Sequence, residues 1–313
     1  MKFGFVFPGQ GSQAVGMLAE LAGAFPQVQE TFDQASQILG VDLWKLCQEG
    51  PEAELNLTQN TQPAMLAAGV AVWRCWKARG GPDPMMMAGH SLGEYTALVC
   101  AGAVEFADAV GLVADRGRFM QEAVPEGEGA MAAIIGLDDE AVRALCEQNA
   151  GEEVLSPVNF NAPGQVVIAG ARAAVERAVG ASKTAGAKRG LLLPVSVPSH
   201  CRLMHRAAEN MAARLADVAI KKPAIPVIQN VNAREEKDLD AVREALVRQV
   251  ESPVRWVESV QNMASRGSQM LIECGPGKVL TGLNKRIDKN IQSVSVNDEA
   301  SLGEALAAVA AGD

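Results

Sequence analysis

Histidine, paired cysteines and long apolar runs are all scarce in this sequence, and each scarcity narrows the possible chemistry. The 313 residues include 3 histidines, so few side chains can act as a general base near neutral pH. The 6 cysteines are scattered and form no CxxC pair, which argues against a disulfide framework or a cysteine-rich metal site. We therefore expect free thiols in a reducing compartment and no bound metal.

Segments that could enter a membrane are missing as well. The apolar run at the N-terminus is broken by Pro8, too early for a signal peptide, and no other run approaches the length of a membrane span. The 37 acidic residues outnumber the 28 basic ones, and the net charge of −9 argues against general nucleic-acid binding. We expect a soluble cytoplasmic protein with no membrane or nucleic-acid partner, although a local basic patch is compatible with this total.

The strongest functional signal is the segment GHSLG at residues 89–93. A short apolar run precedes it and a helical stretch begins at Glu94. This order of strand, Gly-x-Ser-x-Gly turn and helix is typical of a nucleophile elbow, which exposes a serine hydroxyl on a tight turn. Ser91 is therefore the candidate nucleophile, and the backbone N–H of Leu92 is a candidate oxyanion donor. A glycine-rich junction without catalytic function gives the same pattern, so the motif needs support from the rest of the chain.

Alternating apolar runs and amphipathic stretches predict an α/β fold. We expect strands at residues 2–7, 85–88, 225–231, 270–274 and 293–296, and helices at residues 63–79, 106–123, 203–217, 239–249, 257–266 and 279–287.

A different order of predicted strands and helices after residue 126 indicates a small inserted domain. Four strands and two helices follow one another there, at residues 131–135, 139–148, 154–159, 166–169, 172–185 and 190–195. Their order, β-α-β-β-α-β in about 70 residues, is the ferredoxin-like arrangement. We predict an α/β-hydrolase-like catalytic domain from residues 1–126 and 197–313, interrupted by a ferredoxin-like subdomain at residues 127–196.

A serine nucleophile needs a base, and the three histidines are the candidates. His200 follows a strand and loop that lead into a helix, where active-site groups of α/β proteins gather. His90 lies inside the elbow, so its side chain should point away from that of Ser91 and pack or hydrogen-bond instead. His205 should lie at the surface or at a helix cap, about 140° around a helix from His200. His200 is the favoured base, and Cys201 is a weaker alternative nucleophile because it has no elbow of its own.

Two further features could serve acyl transfer. The loop at residues 7–13 follows the first predicted strand and could supply a second oxyanion donor; it matches neither a dinucleotide-binding nor a Walker motif. Arg116 lies on the predicted helix 106–123. It could be a solvated side chain paired with Asp115 or Asp108, or its planar fork could hold a substrate carboxylate in two hydrogen bonds. The spacing alone favours the solvated alternative.

Several short motifs follow one another in a fixed order. They are FPGQGSQ at 7–13, TQPA at 61–64, GHSLGE at 89–94, the segment 127–135, VNFN at 158–161, PSH at 198–200 and ECGPG at 273–277. Together they resemble the malonyl-CoA:acyl-carrier-protein transacylases of type II fatty acid synthesis, over about residues 3 to 297. Several spaced motifs are far more specific than a single elbow.

The resemblance implies that malonyl passes from malonyl-CoA to the phosphopantetheine thiol of acyl carrier protein in a ping-pong cycle. Ser91 carries the malonyl group in this cycle, His200 acts as its base, and Arg116 holds the malonyl carboxylate. The CoA thioester and the carrier protein are substrates, so the resemblance implies no cofactor. We expect a monomer.

The resemblance also implies how the rest of the site is built. The backbone amides of Gln10 and Leu92 form the oxyanion hole, and the backbone carbonyl of Gln249 orients His200 in place of an acidic triad member. The family's inserted ferredoxin-like subdomain agrees with the β-α-β-β-α-β pattern above.

An acidic carrier protein requires a local basic patch on this acidic chain. The candidates are Lys183, Lys188 and Arg189 near the end of the small domain, and Lys278, Lys285, Arg286 and Lys289 near the C-terminal helix. For any single one of them, an ordinary solvated surface is the slightly better explanation.

Two other functions are compatible with the elbow. A serine hydrolase or thioesterase of the α/β-hydrolase class shares it, but should place an acidic residue and then a histidine in the C-terminal part, and no histidine follows His205. A non-catalytic subunit that binds a carrier protein would not depend on the hydroxyl of Ser91.

Overall fold

The chain forms two β-sheets, one parallel with five strands and one antiparallel with four, in the part that the structure describes. The computed structural model describes residues 1–195 and 197–311. The strands in these residues are β1 (Phe3–Phe7), β2 (Met87–Gly89), β3 (Gly129–Ile135), β4 (Leu155–Ala162), β5 (Gln165–Ala171), β6 (Arg189–Leu192), β7 (Val227–Ile228), β8 (Met270–Cys274) and β9 (Gln292–Val296).

Helices surround the sheets, and in the part of the chain that the structure describes none is both long and apolar enough to cross a membrane. They are α1 (Ala19–Ala24), α2 (Pro26–Leu39), α3 (Leu43–Glu49), α4 (Glu52–Leu55), α5 (Thr58–Ala78), α6 (Gly93–Cys100), α7 (Phe106–Ala123), α8 (Asp139–Ala150), α9 (Arg172–Ser182), α10 (His205–Ala216), α11 (Leu239–Gln249), α12 (Trp256–Ser265), α13 (Val279–Ile287) and α14 (Glu299–Ala311).

The larger sheet is parallel and has the strand order β7-β2-β1-β8-β9. Every residue of the central strand β1 is buried, because apolar side chains cover both faces of the sheet. Phe5 packs edge-on against Trp76 on one face, with ring centroids 5.0 Å apart. Val6 belongs to the cluster on the other face, which contains Trp256. The fold is therefore mixed α/β, as the sequence predicts.

The direction of this sheet brings distant loops together. Strands β1, β2 and β7 are adjacent and parallel, so their carboxyl ends meet at one edge. The loop after β1 carries Gln10, the turn after β2 carries Ser91, and the segment after β7 carries Asn230. Topology therefore concentrates the candidate site at this edge.

The smaller sheet is antiparallel, with the order β4-β5-β3-β6. Helices α8 and α9 contribute Val142, Leu145 and Val175 to the apolar cluster that this sheet forms. Strand β4 bonds the segment between α11 and α12: the N–H of Phe160 donates to the carbonyl of Val254 at 3.0 Å. The element order β-α-β-β-α-β agrees with the sequence prediction.

Several boundaries differ from those predicted, both in the small sheet and at two elements next to the site. Helix α5 begins at Thr58, five residues before the predicted start at Pro63. The sequence prediction missed this first turn because its polar side chains line a cavity and show no apolar period. The strand predicted at 225–231 is reduced to Val227–Ile228. Helices α1 to α4 and α14 were not predicted. The predicted domain boundary at residue 196 lies outside the described residues.

Candidate active site

Ser91 lies on a tight turn directly after β2, as the motif predicts. Its φ of 51° is in the left-handed region, which few residues other than glycine adopt. The two motif glycines permit the close approach of backbone that this turn needs. A Cβ on Gly89 would lie 1.9 Å from the carbonyl carbon of Gly93, and a Cβ on Gly93 would lie 2.1 Å from the carbonyl oxygen of Phe7. The turn is therefore incompatible with a side chain at either glycine.

His200 contacts the hydroxyl of Ser91 directly. Its Nε2 is 2.7 Å from Ser91 Oγ, and its Nδ1 is 2.7 Å from the backbone carbonyl oxygen of Gln249. A carbonyl can only accept, so Nδ1 carries the proton and Nε2 is free to accept one from the serine. Burial and the nearby guanidinium of Arg116 lower the pKa of His200 to about 3. The imidazole is therefore neutral at physiological pH, as a general base must be.

Arg116 is buried beside the same hydroxyl, and the solvated alternative is wrong. The side chain is 1% exposed; its Nη1 donates to Gln62 Oε1 at 2.7 Å, and its Nη2 donates to Ser91 Oγ at 3.2 Å and to Gln249 Oε1 at 2.9 Å. Asp115 instead pairs with other arginines on the surface. The guanidinium therefore provides positive charge within the site, where an anionic substrate group could bind.

A cavity of about 110 Å³ opens onto these three side chains. Both residues expected to supply oxyanion-hole amides, Gln10 and Leu92, line it. Its apolar wall is formed by Met120, Met131, Leu193, Val195 and Val197. The cavity thus combines a candidate nucleophile, a candidate base and a cation with an apolar lining that suits a short acyl chain.

A network of buried polar side chains behind Ser91 was not predicted. Glu94 is 0% exposed, and burial raises the pKa of its carboxyl group to about 7. Asn230 accepts from the N–H of Ser91 at 2.7 Å and donates to the carbonyl of Gly89 at 2.7 Å. Gln62 lies in the TQPA motif and Glu94 in the GHSLGE motif, so membership of these motifs was the sequence feature that could have indicated the network. Asn230 lies in no motif.

The other candidates lie where the sequence reasoning placed them. His90 points away from the hydroxyl: its Nε2 is 2.8 Å from Asn161 Oδ1, and its ring lies 5.6 Å from that of Trp256. His205 is exposed and pairs with Glu251. Cys201 is buried, and burial raises the pKa of its thiol to about 11, which disfavours the thiolate that a nucleophile requires.

Metal ligands are not clustered in the described ranges. No group of three or more His, Cys, Asp or Glu side chains in residues 1–195 and 197–311 is arranged to hold a metal ion. The cysteines are free and buried.

Comparison with known proteins gives a consistent result. The family model for the acyl transferase domain matches residues 4–312. A malonyl CoA-acyl carrier protein transacylase from Salmonella typhimurium is 59% identical over 97% of this chain and 99% of that protein. The crystal structure of an acyl carrier protein S-malonyltransferase from Vibrio cholerae has a TM-score of 0.95 and 58% identity, over 97% of this chain and 100% of the other. A malonyl-transacylase in complex with its type II PKS acyl-carrier protein has a TM-score of 0.97 and 56% identity, over 98% of this chain and 100% of the other.

The fold and the serine–histidine pair, with this family match, define the class of protein: the chain is an acyltransferase. At these identities and coverages it belongs to the family of malonyl CoA-acyl carrier protein transacylases.

The lowered pKa of His200 makes a prediction about pH. A base with a pKa of about 3 stays unprotonated as the pH falls from about 8 to 5, so labelling of Ser91 by an alkyl fluorophosphonate should change by less than about twofold over that range. His200→Ala should abolish labelling.

Titration of Glu94 must be separated from that of His200 in this experiment, because burial raises the pKa of Glu94 to about 7, within the same pH range. The rates are therefore measured in Glu94→Gln as well. A loss of labelling with a midpoint near the ordinary histidine value of about 6.5 that persists in Glu94→Gln would contradict the prediction.

Proposed function

We propose that this chain transfers malonyl from malonyl-CoA to the phosphopantetheine thiol of acyl carrier protein, through a malonyl ester of Ser91. The observation that carries the proposal is a buried guanidinium 3.2 Å from the candidate nucleophile. A guanidinium that lies at hydrogen-bond distance from the reacting oxygen favours an acyl group that carries its own carboxylate. The names of the relatives support malonyl as that group, and the carrier complex of one of them supports the acceptor.

The first half-reaction makes the ester. Ser91 Oγ attacks the thioester carbonyl while its proton passes to Nε2 of His200. The backbone N–H groups of Gln10 and Leu92 hold the tetrahedral oxyanion, a role supported by their position in the cavity wall. As the intermediate collapses, the C–S bond breaks and His200 returns the proton to the CoA thiolate.

The second half-reaction runs the same steps in reverse with another thiol. His200 takes the proton of the carrier's phosphopantetheine thiol as its sulfur attacks the ester. The C–O bond then breaks, and the proton returns to Ser91 Oγ. Both thiol compounds are substrates, so the reaction requires no resident cofactor.

The backbone carbonyl of Gln249 takes the place of an acidic triad member in this mechanism. It holds the Nδ1 proton of His200, which fixes the tautomer without adding a negative charge beside the ring. Arg116 supplies the positive charge of the site and adds to burial in lowering the pKa of His200. A site built in this way suits an anionic acyl group, whose carboxylate offsets the cation.

The architecture supports a division into two domains. We propose an α/β-hydrolase-like catalytic domain from residues 1–126 and 197–313, because the parallel sheet carries the elbow at the end of one of its strands. We propose a ferredoxin-like subdomain at residues 127–196, because the order β4-β5-β3-β6 and the antiparallel pairing have that topology. A cytoplasmic monomer is the expected form, and sedimentation velocity would test the oligomeric state.

The test of the proposed function is mass spectrometry after mixing with malonyl-CoA. We expect an adduct of about 86 Da on the peptide that contains Ser91, a malonyl group less water, and its loss on addition of holo carrier protein. Ser91→Ala should show neither adduct nor transfer. Release of free malonate in place of malonyl carrier would favour a thioesterase, and transfer that persists in Ser91→Ala would contradict the mechanism.

Arg116 makes a second prediction, about acyl selectivity. Arg116→Ala should lower the rate of Ser91 acylation by malonyl-CoA about 100-fold or more and that by acetyl-CoA far less, because only malonyl brings a carboxylate to the guanidinium. Arg118 is the matched control, since it lies on the same helix but is exposed. Arg118→Ala should leave both rates unchanged, and equal losses for both acyl groups in Arg116→Ala would refute the carboxylate-binding role.

Carrier docking makes a third prediction. The seven basic candidates are all exposed, and Arg286 on α13 reaches the turn between β4 and β5, where its Nη2 donates to the carbonyl of Pro163. Reversing charge at Lys188 and Arg189, or at Lys285 and Lys289, should raise the KM for carrier protein several-fold and leave acylation by malonyl-CoA unchanged. Lys45→Glu on α3 is the control, and an unchanged carrier KM in both double variants would exclude the patch.

A further inference from the structure

A buried carboxylate connects the polar groups behind the elbow. Glu94 directly follows the second motif glycine and is 0% exposed. Its Oε2 accepts from Gln249 Nε2 at 2.9 Å and from the N–H of Asn230 at 2.9 Å. Removing a carboxylate from water is unfavourable unless strong interactions compensate, so a carboxylate at this depth indicates a specific use.

The first of these contacts sets the orientation of the Gln249 amide. Both hydrogens of Nε2 are engaged, one by Glu94 Oε2 and one by the backbone carbonyl of Ser91 at 2.9 Å. Oε1 therefore faces the other way and accepts from Nη2 of Arg116 at 2.9 Å. If the amide were flipped, its oxygen would face Oε2 of Glu94, which already accepts from Asn230, and its NH₂ would face the guanidinium, so an acceptor would meet an acceptor and a donor would meet donors.

The second contact acts on the elbow. Glu94 holds the backbone N–H of Asn230, and the side chain of Asn230 in turn bonds the N–H of Ser91 and the carbonyl of Gly89. One carboxylate oxygen thus connects to the guanidinium through Gln249 and to the strained turn through Asn230. Its charge also raises the pKa of Arg116, opposing the larger lowering caused by burial.

We propose that Glu94 is a positioning residue for malonyl transfer: by fixing the Gln249 amide, it aims the guanidinium of Arg116 at the place beside Ser91 Oγ where the acyl carboxylate binds. This inference rests on the proposed function. Glu94 touches neither substrate nor the reacting atoms and acts through Gln249. Selectivity between malonyl and acetyl is therefore more sensitive to its loss than the serine–histidine chemistry itself.

The test compares Glu94→Met with the wild type in acylation of Ser91 by malonyl-CoA and by acetyl-CoA. Methionine has a similar length but cannot accept the two hydrogen bonds. We expect the ratio of malonyl to acetyl kcat/KM to fall at least tenfold. Glu94→Gln keeps an acceptor toward Gln249 and should recover most of the ratio. An unchanged ratio in Glu94→Met, or an equal loss in Glu94→Gln, would overturn the proposal.

A matched control separates positioning from stability. Glu273 is a second carboxylate that is 0% exposed; it accepts from the N–H groups of Leu280 and Thr281 at the start of α13 and does not line the cavity. Glu273→Gln should lower Tm and leave the malonyl-to-acetyl ratio unchanged. If it lowers the ratio as much as Glu94→Met does, the effect of Glu94 is one of general stability and the proposal fails.

A second variant tests the same path without changing Glu94. Gln249→Met removes the amide but keeps the backbone carbonyl that holds His200, and it should reproduce the loss of ratio. In an Arg116→Ala background, Glu94→Met should change the ratio by less than about twofold, because no guanidinium remains to be aimed. If Glu94→Met lowers the malonyl-to-acetyl ratio as much in that background as in the wild type, Glu94 does not act through Arg116 and the proposal is overturned.

Failure of this inference is distinguishable from failure of the proposed function. If the wild type forms the malonyl ester and transfers it, and Arg116→Ala loses selectivity, the function stands whatever Glu94→Met does. If the wild type forms no malonyl ester, the proposed function itself fails.

Discussion

The hydrogen bonds of Gln249 are the interaction on which the rest of the site depends. Its backbone carbonyl holds the Nδ1 proton of His200, its Oε1 accepts from Arg116, and its Nε2 bonds the carbonyl of Ser91. One residue at the end of α11 thus contacts the imidazole of His200, the guanidinium of Arg116 and the turn that carries Ser91. Because these contacts use both the backbone and the side chain, a shift of this helix end would disturb all three groups together.

The site also holds two strained residues in place. Ser91 has a φ of 51° and His200 a φ of 66°, and neither is glycine. Such conformations persist only where surrounding contacts determine them. Asn230 bonds the backbone on both sides of the elbow, and the N–H of His200 donates to the carbonyl of Val250 at 3.1 Å. The C-terminal end of α11 therefore positions both the ring of His200, through Gln249, and its backbone, through Val250.

Burial shifts the pKa values of the site residues more than their charged neighbours do. Desolvation lowers the pKa of His200 and that of Arg116, and it raises that of Glu94. Each neighbour then opposes or adds to that shift: Arg116 further disfavours protonated His200, and Glu94 favours protonated Arg116. The result is a neutral base next to a cation, an arrangement suited to an acyl group that brings its own negative charge.

Local pattern predicted much of the fold. Helices α7, α11 and α13 and strand β8 have the predicted bounds, because each has an apolar period that its burial requires. Helix α5 and strand β7 were predicted less well. Thr58 and Gln62 line the cavity, and Asn230, which follows β7, bonds the backbone of the elbow, so none of these three residues fits an apolar period. Helices α1, α3 and α4 have 6, 7 and 4 residues, too few periodic positions to be recognised. Helix α2 has 14 residues with buried positions at helical spacing, and the sequence prediction missed it.

The elbow, the α/β order and the scarcity of histidine that pointed to His200 could be recognised in the printed sequence, since each depends on neighbouring residues or on composition. The environment of Arg116 could not, because it is set by packing. Its neighbours in sequence are surface charges, and local spacing favoured a solvated side chain. Its hydrogen-bond partners come from residues 62, 91 and 249, on segments far apart in the chain. Burial of a charge depends on which segments meet around it, and that is settled by packing rather than by local sequence.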